Sequence, residues 1–365
     1  MSKNSDKSVP GGRARRGGAG RVTMTDVARE AGCSQATVSF VLNSAPGIRL
    51  SAETRKRVLE AARQLGYAVP TPAAIAANRP LRRRRIGFVA DQLSTSPEAM
   101  VAIEGLTQAS RGGGYLVLVG QSHNDSEDEA ELIRAFADQG VAALVYMTIF
   151  TREIELPAVL SELDVPVFLL NCYTASQSRP AVVPSEIAGG QRSTRHLIEN
   201  GHRRIATITG EIWMEAAQDR LKGYRRALAT ADIPFDPALV EHGDWSASSG
   251  YAATRRLLAL AEPPTAIFCQ NDRTAIGCYE ALKEAGLEIP TQMSVVGYDD
   301  EEISRHLHPR LTTSILPHRS MGQWIIEQMD APESGQLRFP LVKLECPLVE
   351  RDSVAAPRVK HHTLG

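Results

Sequence analysis

A chain of 365 residues, 43% of them apolar, exceeds one typical domain and can bury one or two large cores beside a smaller module. The formal net charge of −1 conceals an asymmetry: residues 1–85 carry 17 Lys and Arg against 5 Asp and Glu, about +12, and the remainder 24 against 37, about −13, so the front suits a polyanion and the acidic body some other partner. The five scattered cysteines include no C-x-x-C pair, which argues against a zinc or disulfide framework, and no apolar stretch approaches the about 18 residues of a membrane span.

Residues 1–21, dominated by Gly, Arg and Ser, are expected to form a disordered basic arm that lies along phosphates without choosing a sequence. They lack the apolar centre of a signal peptide, so the chain reads as cytoplasmic. Thr25 followed by DVAREA predicts a capped short helix with Asp26 at the positive end of its dipole, closed by Gly32. Ser34 then caps a second helix, SQATVSFVLN, after a connection short enough for a helix-turn-helix. Val38, Val41 and Leu42 are predicted to face the neighbouring helices, and Gln35, Ala36, Thr37, Ser39 and Phe40 the opposite side or its flanks, where such a helix enters the major groove. Gln35 can pair with adenine, Ala36 or Phe40 can touch a thymine methyl, and Thr37, Ser39 and Asn43 suit phosphate oxygens. A third helix runs from Ser51 through AETRKRVLEAARQLGY, with Val58, Leu59, Ala62 and Leu65 on one side and Gly66 at its end. These elements define a headpiece over residues 22–68 and a linker, VPTPAAIAANRPLRRRR, over 69–85.

Over residues 86–352 the apolar runs IGFVA, YLVLV, AALVYM, VPVFLL, RIATITG, TAIFC and MSVVGY alternate with helical stretches such as SEDEAELIRAFADQG. Alternation of this kind predicts parallel βαβ units in doubly wound sheets, with ligands at the carboxyl ends of the strands. The glycine fingerprint of dinucleotide sites, the phosphate loop and the nucleophile elbow are absent. Polar groups follow the strands at Asn171, Asn271, Asp272, Asp299 and Asp300, as ligand contacts or as turn and helix caps. The run DDEE at 299–302 has the donors of a metal site, yet consecutive residues at a strand end more often cap the next helix. No catalysis, metal or cofactor is expected, and residues 353–365 read as a tail.

The segments TMTDVAREAGCSQATVSFVLN and SAETRKRVLEAARQLGY, the proline-started linker, and GHRRIATITG, DRLKGY, GDWSASSGY, QNDRTAIG, MSVVGYDD and LTTSILPHRSMG make the chain resemble the lactose-repressor (LacI/GalR) family from residue 22 to about 350. The resemblance implies an all-α helix-turn-helix headpiece plus an α/β two-lobed effector domain similar to a periplasmic sugar-binding protein. Its function would be that of a homodimeric repressor on an inverted-repeat operator, switched by a sugar or related polar metabolite. It also implies that Thr23 and Tyr67 touch phosphates together with Ser34, Thr37, Ser39 and Asn43, while Gln35, Ala36 and Phe40 read bases. Arg220 and Asp299 would hold the effector's hydroxyls, Asn171 and Asn271 would add neutral hydrogen bonds, and Trp245 would either offer its ring to a sugar face or sit in the core. The chain departs from the family pattern at Phe40, where arginine is common. Further departures are Ser94, Thr95 and Ser96 in place of a polar-aromatic run, SEIAGG, Leu316, and Ala77 where a hinge leucine wedges into the minor groove. A sugar-transport binding component would share the body, but residues 22–67 and the missing export signal argue against one.

Overall fold

A computed structural model describes residues 22–42, 51–67, 84–93, 97–111, 113–330 and 338–358. The expected basic arm, Asn43, the linker as far as residue 83, the segment 94–96 and the last seven residues lie outside the described residues.

The headpiece is three helices, α1 (Met24–Ala31), α2 (Gln35–Leu42) and α3 (Ala52–Gln64). The cap of α1 is Thr23, not Thr25. Thr23 Oγ1 accepts from the Asp26 amide at 3.2 Å, while the Asp26 carboxylate accepts from the Thr23 amide at 3.0 Å. This reciprocal box satisfies two donors at once, which the Thr25 register would not. Gly32, at φ 61°, and Gly66, at φ 68°, make the left-handed turns that only glycine adopts cheaply. Ser34 and Ser51 cap the next two helices by accepting from the Thr37 and Thr54 amides. Val27, Val38, Val41, Val58, Ala61 and Ala62 form the core. Leu59, expected inside, is 47% exposed, because it lies about 100° around the helix from Val58, whose stripe continues through Ala61 and Ala62.

The body is two lobes, each on a six-stranded sheet. The N lobe runs β1 (Arg84–Ala90), α4 (Pro97–Ser110), β2 (Tyr115–Gln121), α5 (Ser126–Asp138), β3 (Val141–Glu153), α6 (Ala158–Ser161), β4 (Val167–Tyr173) and β5 (Ala181–Pro184). The C lobe runs α7 (Glu186–Glu199), β6 (Ile205–Thr209), α8 (Glu215–Thr230), β7 (Val240–His242), α9 (Ala247–Leu258), β8 (Ala266–Cys269), α10 (Asp272–Glu284), β9 (Ser294–Asp299) and β10 (Thr312–Ile315). The chain then returns to the N lobe as α11 (His318–Met329) and β11 (Val342–Leu344), and crosses again to end the C-lobe sheet as β12 (Leu348–Val349). The sheet orders are β11-β5-β4-β3-β1-β2 and β12-β10-β9-β8-β6-β7. Among the described residues every strand pairing is parallel except β10 with β12. The inner strands are largely buried on both faces, as parallel sheets covered by helices require, while the edge strands β2 and β7 are partly open.

The lobes are joined by three crossings, after β5, after β10 and after β11. In the C lobe, α7 and α8 meet through glycines: a Cβ at Gly190 would lie 2.4 Å from the Arg220 carbonyl oxygen, and one at Gly223 2.3 Å from that of Ile187. This close approach brings the first residue of α7, Glu186, against Arg220 of α8. The tail expected from residue 353 is instead part of the C lobe up to its last described residues. Ser353 is buried and donates to the Val295 carbonyl at 2.6 Å, and the Ala355 carbonyl meets His202 Nε2 at 2.9 Å.

Candidate functional site

α2 keeps Gln35, Thr37 and Phe40 half-buried and Ser34 exposed, whereas Ala36 and Ser39, expected on the open side or its flank, are buried. The cover over Ser39 is α11. Ser39 Oγ donates to Gln323 Oε1 at 3.2 Å and accepts from Ser320 Oγ at 3.1 Å. Nearby, Glu327 accepts from Gln35 Nε2 and from the Met24 amide, both at 3.3 Å. In the single chain the face expected on DNA therefore lies on α11 of the N lobe. Thr23 is engaged in the capping box, and Tyr67 packs against the headpiece core.

Between the lobes lies a cavity of about 310 Å³ whose lining includes all five expected effector residues, Asn171, Arg220, Trp245, Asn271 and Asp299. Three of them, Asn171 (φ 62°), Trp245 (φ 67°) and Asp299 (φ 109°), hold positive φ without being glycine, a strained geometry that concentrates at ligand sites. Asn171 was expected after a strand but sits within β4, opposite a register shift in β3. Its Nδ2 donates to the Thr148 and Ile149 carbonyls, and its Oδ1 accepts from Thr151 Oγ1. Both amide protons thus shape the end of β3, leaving only acceptor capacity for a ligand. Asn271 caps α10 by accepting from the Thr274 amide and donates to the Trp245 carbonyl, which leaves one Nδ2 proton.

Arg220 is bound by the protein itself. Its Nε and Nη2 donate to Glu186 at 2.8 and 2.9 Å, its Nη1 donates to the Gln270 carbonyl, and Asp299 Oδ1 stands 3.6 Å away. The guanidinium also lies over the Tyr298 ring at 3.8 Å and near the Trp245 ring at 5.4 Å. Burial works against its charge, but the Glu186 carboxylate, with Asp299 behind it, holds Arg220 firmly protonated. Burial pushes the Asp299 carboxyl well above the usual range; Arg220 opposes this, and Glu98, Asp272 and Glu301 add to it. Trp245 is half-buried: a Cβ at Gly210 would lie 1.9 Å from its ring, and its Nε1 donates to Met214 Sδ. One part of the indole therefore packs against the protein while the residue still lines the cavity.

Sequence reasoning missed Glu186, Glu98, His318, Phe150 and Met214, all of which line the cavity. Glu186 opens a helix after a strand of only four residues, too short for its apolar run to stand out. His318 follows the crossing that returns the chain to the N lobe. At the rim, Tyr173 Oη of the N lobe donates to Glu215 of the C lobe at 3.0 Å, and Phe150 meets Trp213 edge to face at 6.2 Å. A second cavity of about 880 Å³, lined by Ser39 and Phe40 of α2, shares Glu98, Asp299, Glu301, Leu316 and His318 with the first. Asp272, left open between a ligand contact and a cap, is buried and does not line the cavity, accepting from Thr313 Oγ1 at 2.6 Å and from the Glu301 amide at 2.8 Å. Asp300 pairs with Arg305 and Arg351.

Residues 23–69 match the family described as bacterial regulatory proteins, lacI family, and residues 194–354 match the periplasmic binding protein-like domain. The chain is 33% identical over 309 residues to the HTH-type transcriptional repressor PurR of Aliivibrio fischeri (strain MJ11), covering 84% of this chain and 90% of that one. Among solved structures, it is similar to the lac repressor dimer bound to operator and the anti-inducer ONPF (29% identity, TM-score 0.63, 92% of this chain and 99% of that one). It is likewise similar to the complex of the transcriptional regulator CelR with cellobiose (29% identity, TM-score 0.62, 91% and 100%). With both its headpiece and its two-lobed body matched in their order along the chain, this protein belongs to the lacI family of bacterial regulatory proteins.

Proposed function

We propose that the protein is a homodimeric transcriptional repressor that reads an inverted-repeat operator with α2 and loses or gains DNA affinity when a small polar metabolite, a sugar or a derivative, fills the cleft between its lobes. The observation that carries this reading is a wall common to two sites. Asp299, Glu301 and His318 line the interlobe cavity and also the space beside α2, so whatever occupies the cleft meets residues that also border the reading helix's surroundings. An effector shifts the equilibrium only through different affinities for the DNA-free and DNA-bound arrangements, and a shared wall supplies such a difference directly. In this reading Gln35, Ala36 and Phe40 face bases, and Thr23, Ser34, Thr37, Ser39, Asn43 and Tyr67 face phosphates. α2 must leave Gln323 and Glu327 before it can enter a groove.

Selection of bound fragments from random DNA tests this. An inverted repeat is the expected outcome, with affinity falling steeply as salt rises. Gln35→Ala should lose about 1–3 kcal/mol at the selected site and little on random DNA. Equal losses on both kinds of DNA would remove Gln35 from base reading, and selection without any sequence preference would overturn the repressor reading itself.

A further inference from the structure

The charge of the interlobe cleft narrows the chemistry of its occupant. Its lining contains six carboxylates, Glu98, Glu186, Glu211, Asp244, Asp299 and Glu301, and two cations, Arg220 and Arg273. Both cations are already paired within the protein, Arg220 with Glu186 at 2.8 Å and Arg273 with Glu301 at 3.0 Å. The lining thus holds four acidic groups beyond these two pairs and no cation uncommitted; burial raises Glu98 and Asp299, and a cation bound beside them would favour their charged forms, which makes the wall acidic toward a cationic ligand. Two buried acceptors in the lining add a second, independent observation. His318 Nε2, on a residue 3% exposed, makes no hydrogen bond, and Asp299 Oδ1, its side chain 10% exposed, makes none either, its only neighbour of opposite charge among the described residues being Arg220 Nη1 at 3.6 Å. Buried polar atoms without partners are uncommon, and in a cleft they mark where a ligand's donors belong.

We propose that the effector is a hydroxylated small molecule carrying a protonated amino group, with the chemistry of an amino sugar, whose ammonium donates to Asp299 and His318 while its less polar face meets Trp245. This rests on the cleft being the effector site. An ammonium supplies up to three donors and one positive charge, matching an acidic, donor-poor wall; a phosphorylated or carboxylated sugar would bring like charge into it, and a neutral sugar would leave the excess uncompensated. His318 fits the role of acceptor. Burial, with Arg220 adding to it, pushes its imidazole down to about 3, so the ring is neutral and offers the Nε2 lone pair in its Nδ1–H tautomer.

The test uses the full chain and a small-molecule extract of the cells that encode it, separated at pH 7 on ion-exchange resins into cationic, neutral and anionic pools. Each pool is assayed for its shift of the protein's thermal midpoint. The cationic pool is expected to raise the midpoint, and acetylating its amines with acetic anhydride is expected to abolish the effect. Asp299→Asn, which keeps the shape and removes the charge, should raise the amount of cationic pool needed by about tenfold. Should that variant fail to fold, Glu98→Gln reads the same excess charge and carries the same expectation. Activity confined to the neutral or anionic pool, survival after acetylation, or an unchanged requirement in a folded variant would overturn the proposal while leaving a small-molecule effector in place. No active pool at all would overturn both.

Discussion

At the scale of single residues, the centre of the cleft is an ion pair within the protein. Arg220 and Glu186 are both about 95% buried. Removing one partner leaves the other charged and unsolvated, which costs about 3–5 kcal/mol, whereas removing both costs much less. Arg220→Ala is therefore expected to lower the urea midpoint of the C lobe substantially, and the double variant Arg220→Ala with Glu186→Ala to recover part of the loss. A single variant as stable as wild type would show that the pair bears little on the fold. Any loss of effector response in Arg220→Ala must be read against this, because the guanidinium also donates to the Gln270 carbonyl beside the cap of α10.

At the scale of elements, two helix contacts decide where the functional groups stand. The glycine crossing of α7 on α8 leaves no room for a methyl, since a Cβ at Gly223 would stand 2.3 Å from a backbone carbonyl oxygen and 2.5 Å from the Gln191 amide. Backbone cannot rotate away as a side chain tip can, so Gly223→Ala should cost about 1–3 kcal/mol through separation of the helices. It should also weaken effector binding by moving Glu186 off Arg220; an unfolding curve identical to wild type would contradict this. The second contact is that of the headpiece on α11. Burial raises the Glu327 carboxyl to about 7; the Met24 amide opposes the rise and Asp26 contributes to it. A carboxyl raised in the docked state favours docking when protonated. Its contribution is complete below the ordinary value of 4.5 and disappears as pH rises through about 7. Trypsin cleavage in the arginine-rich linker should therefore accelerate from pH 5.5 to 8 more in wild type than in Glu327→Gln. Parallel profiles for the two proteins would refute the linkage.

At the scale of the whole molecule, an operator with two half-sites requires two headpieces held at a fixed spacing, and the two-lobed body offers the large surface for a symmetric contact. Light scattering at micromolar concentration should return two subunits, and four or one would contradict the arrangement. Three crossings join the lobes, and Tyr173 on Glu215 and Phe150 on Trp213 add contacts between them at the rim. α11 packs in the N lobe but begins at the cleft with His318.

What the sequence determined by itself was whatever depends on neighbours a few residues apart. Ser34, Ser51, Gly32 and Gly66 end or begin helices through bonds that span three to five residues, and the apolar runs that became strands needed only their own composition to be recognised. Of the five cleft residues, Asn171, Asn271 and Asp299 were legible because strand ends in parallel sheets converge on one crevice whatever the loops contain, whereas Arg220 on α8 and Trp245 before α9 came only from the family resemblance. Where local signals competed, the reading slipped: two threonines stood near the start of α1, and the capping box with Asp26 chose Thr23. Tertiary structure alone decided the rest, because it brings together groups with no local mark of their association. Glu186 meets Arg220 across 34 residues. His202 ties residue 355 to the C lobe through the Ala355 carbonyl, 153 residues on, so the described start of what reads as a tail is packed. Ser39 and Gln323, 284 residues apart, cover a face that periodicity assigns to solvent, because a helix's pattern tells which side is apolar but not which polar side will find a partner.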